Sequence, residues 1–123
     1  MPEVELTKII SVSSVADEVF RQTIDIDFIP DEMIVRSISY YNDGTEGTVG
    51  YIWTDLVDGN ILGTYLDSIT IHCPGTRFII KKPIRGVYTF QMRNLQNEIN
   101  LLIGGELLII LEFVKYKQKG KVY

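Results

Sequence analysis

The chain has 123 residues, a length that suits one domain with its own hydrophobic core, and we expect this domain to span residues 1–123 with a C-terminal tail at about 117–123. Its 12 basic and 16 acidic side chains give a net charge of −4, which argues against a nucleic-acid partner. The single cysteine, Cys73, excludes an internal disulfide bond and a multi-cysteine zinc site, and the acidic N-terminus predicts no secretory signal.

Short runs rich in β-branched and aromatic residues, separated by glycine, proline and aspartate, predict about eight β-strands. In chain order the runs are VELTKIISVS (4–13), TIDIDFI (23–29), MIVRSISYY (33–41), VGYIWTDLV (49–57), LGTYLDSITIHC (62–73), TRFIIKKPI (76–84), GVYTFQMRNL (86–95) and GELLIILEFVKYK (105–117). The fifth run is either one bent strand or two short strands. In the first run one side of the strand, which Lys8 interrupts, carries Val4, Leu6, Ile10 and Val12.

Helix signals are few. SSVADEVFRQ (13–22) has Ser14 three residues before Asp17, a capping pattern that predicts one or two helical turns. LQNEINLLIGG (95–105) suits another short turn that ends at glycine. A small domain made almost entirely of strands predicts an all-β, antiparallel β-sandwich of the jelly-roll type, with a closed barrel as the alternative.

The last run is the most apolar part of the chain, but it is too short for a spanning helix, which needs about 20 mostly apolar residues. As a strand it has one face that we expect in the core, with Leu107, Ile109, Leu111 and Phe113. Its other face is more apolar than the solvent side of a sandwich should be. We predict that either the chain itself or another molecule covers this second face, and we favour another molecule, with an interface formed by Leu108, Ile110, Val114 and Tyr116.

No motif in the sequence identifies a catalysed reaction. His72 and Cys73 are adjacent, and adjacent strand residues point to opposite faces, so they do not form a nucleophile and base. Asp25 and Asp27 have the spacing of a calcium site or an acid pair, but a solvated strand face explains them more simply. The polar stretch 42–46 suits a turn better than a calcium loop. A cupin-type enzyme relies on several histidines, whereas this chain has one, so we expect no catalytic residue, metal or cofactor.

Four segments in order, IVRSISYYND, GYIWTDLVDGNILGTYLDS, KKPIRGVYTFQMRNL and GELLIILEFVKY, resemble the small jelly-roll structural proteins of eukaryotic DNA viruses and virophages. The likeness covers roughly residues 33–117 and consists of the order and spacing of the strands. It implies a capsid or capsid-associated subunit, located in the virion, that self-associates as a trimer or pentamer and contacts neighbouring shell proteins. It implies no catalytic residues.

We therefore expect a non-enzymatic structural subunit, a viral capsid or minor capsid protein, that self-associates through apolar residues of its outer face. Without that resemblance we expect a cytoplasmic protein. The alternative function is a carbohydrate-binding or small-ligand-binding sandwich that stacks its ligand on Trp53, Tyr51 and Tyr65. Against this alternative, Trp53 shares a strand face with Tyr51, Val49 and Val57, which predicts a core position for Trp53.

Overall fold

The computed structural model describes residues 3–15, 19–41, 49–66, 69–94 and 106–118. These residues form nine strands: β1 (Val4–Val15), β2 (Val19–Asp25), β3 (Glu32–Tyr41), β4 (Val49–Thr54), β5 (Ile61–Leu66), β6 (Ile69–His72), β7 (Arg77–Ile79), β8 (Arg85–Asn94) and β9 (Glu106–Tyr116). Within these ranges no helix is long and apolar enough to cross a membrane.

The strands form two antiparallel sheets packed as a sandwich. The first sheet has the order β1-β9-β3-β6, with β7 also pairing with β3, and the second has the order β2-β8-β4-β5. Most connections cross from one sheet to the other, so each sheet contains strands from both ends of the chain, and the strand order is that of a jelly roll. The predicted antiparallel jelly-roll sandwich is confirmed. The fifth run of the sequence forms two short strands, β5 and β6.

The core lies between the two sheets and is built from alternate residues of the strands. The predicted core face of β9 is confirmed, because Leu107, Ile109, Leu111 and Phe113 are all buried. In the second sheet, the rings of Phe20 and Phe90 stack with their centroids 5.4 Å apart. The two sheets therefore bury large side chains against each other along most of their length.

The first run of the sequence follows its predicted alternation only in part. Val12 is fully buried and Ile10 is half-buried, as predicted, but Val4 and Leu6 are exposed. The register of β1 against β9 shifts between Val4 and Leu6, so a bulge removes Val4 from the core-facing row. Lys8 stays in that row, at the margin of the sandwich.

The predicted helical turn at 13–22 is wrong, because residues 13–15 end β1 and residues 19–22 begin β2. Ser14 is buried opposite Leu107, and Phe20 pairs with Phe90 across the β2–β8 ladder. Pairing within the two sheets outweighs a capping pattern that lacks a helical apolar period behind it. The other predicted turn, at 95–105, lies outside the described residues.

The predicted core position of Trp53 is also wrong. Ile52 and Thr54 are buried, whereas Tyr51 and Trp53 lie on the solvent side of the second sheet and are half-buried. The prediction failed because the core-facing row of β4 contains Gly50 and Thr54, so the outward row is the more apolar of the two. The buried Thr54 hydroxyl accepts a hydrogen bond of 3.1 Å from the backbone N–H of the second residue after it.

A β-bulge in β3 decides which of its side chains face outward. Between Val35 and Ser37 the register advances by two residues on β3 but by one on β9, so Arg36 is an extra residue. Beyond the bulge Ile38 and Tyr40 face the core, where both are buried. Arg36 itself lies on the outer face of the first sheet.

Candidate interaction surface

The outer face of the first sheet has β9 near its centre, between β1 and β3. At two successive positions an apolar residue of β9 lies between serines of the neighbouring strands: Ser13–Leu108–Ser39 and Ser11–Ile110–Ser37. We call these residues the serine-flanked stripe. Leu108 is 40% exposed and Ile110 is half-buried, so the stripe is open to solvent along the middle of the sheet.

The other half of the same face is closed by a first group of polar side chains, centred on Glu112. Its Oε1 atom accepts a hydrogen bond of 2.7 Å from Nε of Arg36 and a second bond from Nη2 of the same guanidinium. Its Oε2 atom accepts a hydrogen bond of 2.9 Å from the hydroxyl of Thr7. Side chains from β1, β3 and β9 thus meet above the sheet.

A second group completes this half of the face. Nη1 of Arg77 lies 3.3 Å from Oε1 of Glu32 and 3.2 Å from the hydroxyl oxygen of Tyr116. The Tyr116 hydroxyl donates a hydrogen bond to the same Glu32 oxygen. The backbone N–H of Tyr116 also donates to Asp31, at 2.9 Å. We call the two groups together the charged cover: Thr7, Glu32, Arg36, Arg77, Glu112 and Tyr116.

The charged cover buries two apolar residues that point away from the core. Ile34 is 2% exposed and Val114 is 3% exposed, although both lie on the outer face of the first sheet. Both line a groove of about 510 Å³ whose other lining residues are mostly members of the cover. The stems of arginine and tyrosine side chains shield apolar surface in this way while their polar ends stay in water.

The electrostatics of the cover agree with its geometry. Burial by itself raises the pKa of Glu112. Hydrogen bonds from Arg36 and Thr7 and the positive charges of Arg36 and Arg77 lower it by more, so the pKa of Glu112 lies below its usual 4.5. The hydrogen bond from Tyr116 to Glu32 raises the pKa of Tyr116, and burial and the charge of Glu32 add to this effect. The cover therefore favours a charged Glu112 and a neutral Tyr116.

The predicted interface residues fall into two pairs. Leu108 and Ile110 belong to the open stripe. Val114 is buried under side chains of its own chain, and Tyr116 is half-buried with its hydroxyl and its backbone N–H both hydrogen-bonded within the chain. For these two residues the chain itself supplies the cover, so the interface prediction narrows to Leu108 and Ile110.

The sequence did not reveal Arg36 and Arg77 as part of this surface. The chain carries both arginines within apolar runs, but only the bulge in β3 and the pairing of β7 with β3 bring them over β9. The one available signal was Glu112, a charged residue in an otherwise apolar strand, which called for a positively charged partner nearby.

Among the side chains that the structure describes, those considered for chemistry form no common site. Asp25 forms an exposed ion pair with Arg85 at 3.2 Å, and no group of three or more His, Cys, Asp or Glu residues that could hold a metal occurs in the described residues. The side chain of His72 and the stretch 42–46 lie outside what the structure describes. Cys73 is exposed.

The outer face of the second sheet carries a different arrangement. The guanidinium carbon of Arg93 lies 4.8 Å from the centre of the Trp53 ring. Nε and Nη2 of Arg93 donate to Oε1 of Gln91 at 2.9 and 2.8 Å, which holds the guanidinium in place. An arginine over an aromatic face is a cation–π contact, and here the guanidinium occupies one of the two ring faces on which a sugar can stack.

Comparisons with known proteins provide no information about the function of this surface. No protein-family model matches the chain, and no curated protein matches it. A solved structure described as "Bacillus endospore appendages form a novel family of disulfide-linked pili" is similar at 12% sequence identity, over 94% of this chain and 91% of that chain, with a TM-score of 0.32. A likeness with this TM-score carries no argument about function.

Proposed function

We propose that this protein is a non-enzymatic structural subunit that self-associates, as the trimer or pentamer that its resemblance implies, with the outer face of its first sheet as one side of each contact. The observation that supports the proposal best is the open serine-flanked stripe with Leu108 and Ile110 at the middle of that face. Around the stripe lie short serines, the exposed Ile9, and the charged cover, whose ion pairs already compensate each other. Such a face suits another protein surface better than a small charged ligand.

The size of the face fits this use. Four strands spaced about 4.8 Å apart, with 11 residues in β9 rising about 3.4 Å each, give a surface of roughly 19 by 37 Å, or about 700 Å². Specific interfaces bury about 600–1,000 Å² on each partner. The area of the whole face lies within this range, so it is large enough for one specific contact with a neighbouring copy of the chain.

The resemblance to small jelly-roll structural proteins of eukaryotic DNA viruses and virophages gives the proposal its more specific form. We propose a capsid or minor capsid protein of the virion, which contacts neighbouring shell proteins as well as its own copies. The strand order and the open stripe support this form, and neither supplies a residue with a catalytic role.

The test is the assembly state of the purified protein, measured by light scattering and native mass spectrometry over a range of concentrations. We expect the parent protein to associate, and we expect Leu108→Glu with Ile110→Glu to return it to a monomer. The matched control is Val87→Glu, because Val87 is 59% exposed on the outer face of the second sheet. A parent protein that stays monomeric at high concentration, alone and with shell proteins, contradicts the proposal.

A second candidate function rests on Trp53. Its outward position removes the objection that it belongs to the core, and Tyr51 lies on the same face of β4. Such a pair is typical of sandwiches that bind sugars by stacking. We rank this candidate second because the Arg93 guanidinium already lies over the Trp53 ring.

A further inference from the structure

The free edge of β1 is the longest such edge in the described part of the molecule. β1 lies at one end of the first sheet, where it pairs with β9, and it has 12 residues. The end strands of the second sheet, β2 and β5, have 7 and 6 residues. An edge of this length offers a row of backbone N–H and C=O groups on which another strand can pair.

The structure shows which backbone groups this row contains. The side-chain amide of Gln22 donates a hydrogen bond of 2.7 Å to the carbonyl oxygen of Ser11, so that carbonyl points away from β9. In an antiparallel ladder every second residue turns its backbone groups to the same side. Thr7, Ile9 and Ser13 therefore also present their N–H and C=O groups at the free edge, and Gln22 occupies one acceptor in the middle of the row.

Lys8 lies at the same edge, in the core-facing row of β1. It is opposite Phe113, which is fully buried, and it follows Leu6 and precedes Ile10 in that row. Lys8 nevertheless stays exposed, because it sits at the margin of the sandwich in a hollow that Asp27 also lines. A strand added to β1 would close this margin and take the Lys8 ammonium group out of water, which is costly.

We infer that Lys8 and Gln22 protect the free edge of β1 from strand addition, so that copies of this chain meet face to face and not edge to edge. Lys8 penalises an added strand by its charge, and Gln22 competes for a backbone acceptor that such a strand needs. The part of the inference that concerns the outer face rests on the proposed function. The protection of the edge stands without it.

The experiment removes both residues, as Lys8→Val with Gln22→Ala, in the Leu108→Glu, Ile110→Glu background, so that association through the face does not contribute. We expect a dissociation constant for self-association at least about tenfold lower than in the background protein, since taking a charged group out of water costs that much or more. The readouts are light scattering for mass, circular dichroism for folding, and hydrogen exchange, in which the Ile9 amide should become protected on association.

Two controls decide whether any association uses the edge. Ile9→Pro removes a backbone N–H that points away from β9, so it should abolish the new association and leave the β1–β9 ladder intact. Lys82→Val removes an exposed lysine elsewhere and should change nothing. A double variant with the mass of its background protein overturns the inference, as does an association that Ile9→Pro leaves unchanged. Neither result bears on whether the parent protein associates through its face, so the two proposals fail independently.

Discussion

The two outer faces of this sandwich differ in how they cover the apolar side chains that point away from the core. On the first sheet, β9 brings apolar residues to the surface, and the chain buries Ile34 and Val114 under charged side chains while Leu108 stays open. On the second sheet, the outward residues include the half-buried Tyr51 and Trp53 as well as the exposed Val87, and Arg93 lies over the Trp53 ring with Gln91 as its anchor. The outer face of the first sheet is therefore closed over one half and open to solvent over the other.

The strongest test of this difference is Ile34→Ala. Although Ile34 points away from the core, we expect the free energy of unfolding to fall by about 2–4 kcal/mol, because the residue is as buried as one inside the sandwich. Ile9→Ala is the matched control, since Ile9 is 64% exposed on the same face, and it should cost about 0.5 kcal/mol or less. Equal losses in urea denaturation would mean that the charged cover shields nothing.

A smaller effect is expected from Glu112→Gln, which weakens the charged cover without changing its shape. At pH 7 we expect a loss of about 1–2 kcal/mol, because a hydrogen-bonded carboxylate loses its charge. Asp25→Asn is the control: its ion pair with Arg85 is largely exposed and should contribute within about 0.5 kcal/mol.

The same variant has a predicted pH dependence. Because the folded pKa of Glu112 lies below its usual 4.5, the stabilisation is complete above that value and is lost as the pH falls through the lower folded pKa. The difference in free energy of unfolding between parent and Glu112→Gln should therefore shrink towards about pH 3. A difference that stays constant from pH 7 to that value would show that the loss does not come from the charge of Glu112.

The smallest effect concerns the second face. Arg93→Ala should lower the free energy of unfolding by about 0.5–1 kcal/mol, the usual range for a cation–π contact near the surface. Trp53 is the single tryptophan, so its fluorescence should shift to longer wavelength when the ring is uncovered. The parent protein titrated with a glycan panel provides the second readout: a response at Trp53 would favour the ligand-binding function, and no response in either protein would remove it.

The sequence was sufficient for the jelly-roll sandwich and for the core face of β9, because strict alternation between buried neighbours leaves few other arrangements. It failed at Trp53, because Gly50 and Thr54 on the core side of β4 make the outward row the more apolar of the two. It failed again at residues 13–22, where pairing with distant strands overrode a local capping signal. For the surface itself, Leu108 and Ile110 were visible in the pattern, but the partners that bury Val114 were not, because they come from other strands and meet it only through register.

The bulge at Arg36 adds a side chain to the outer face of the first sheet without disturbing the strand that carries it. Val35 lies opposite Leu111 and Ser37 lies opposite Ile110, so these residues would still pair in order if Arg36 were absent. Deleting Arg36 should therefore leave Ile38 and Tyr40 in the core and remove only the guanidinium that bonds Glu112. A single inserted residue thus supplies one partner of the charged cover, and the alternation of the rest of β3 does not depend on it.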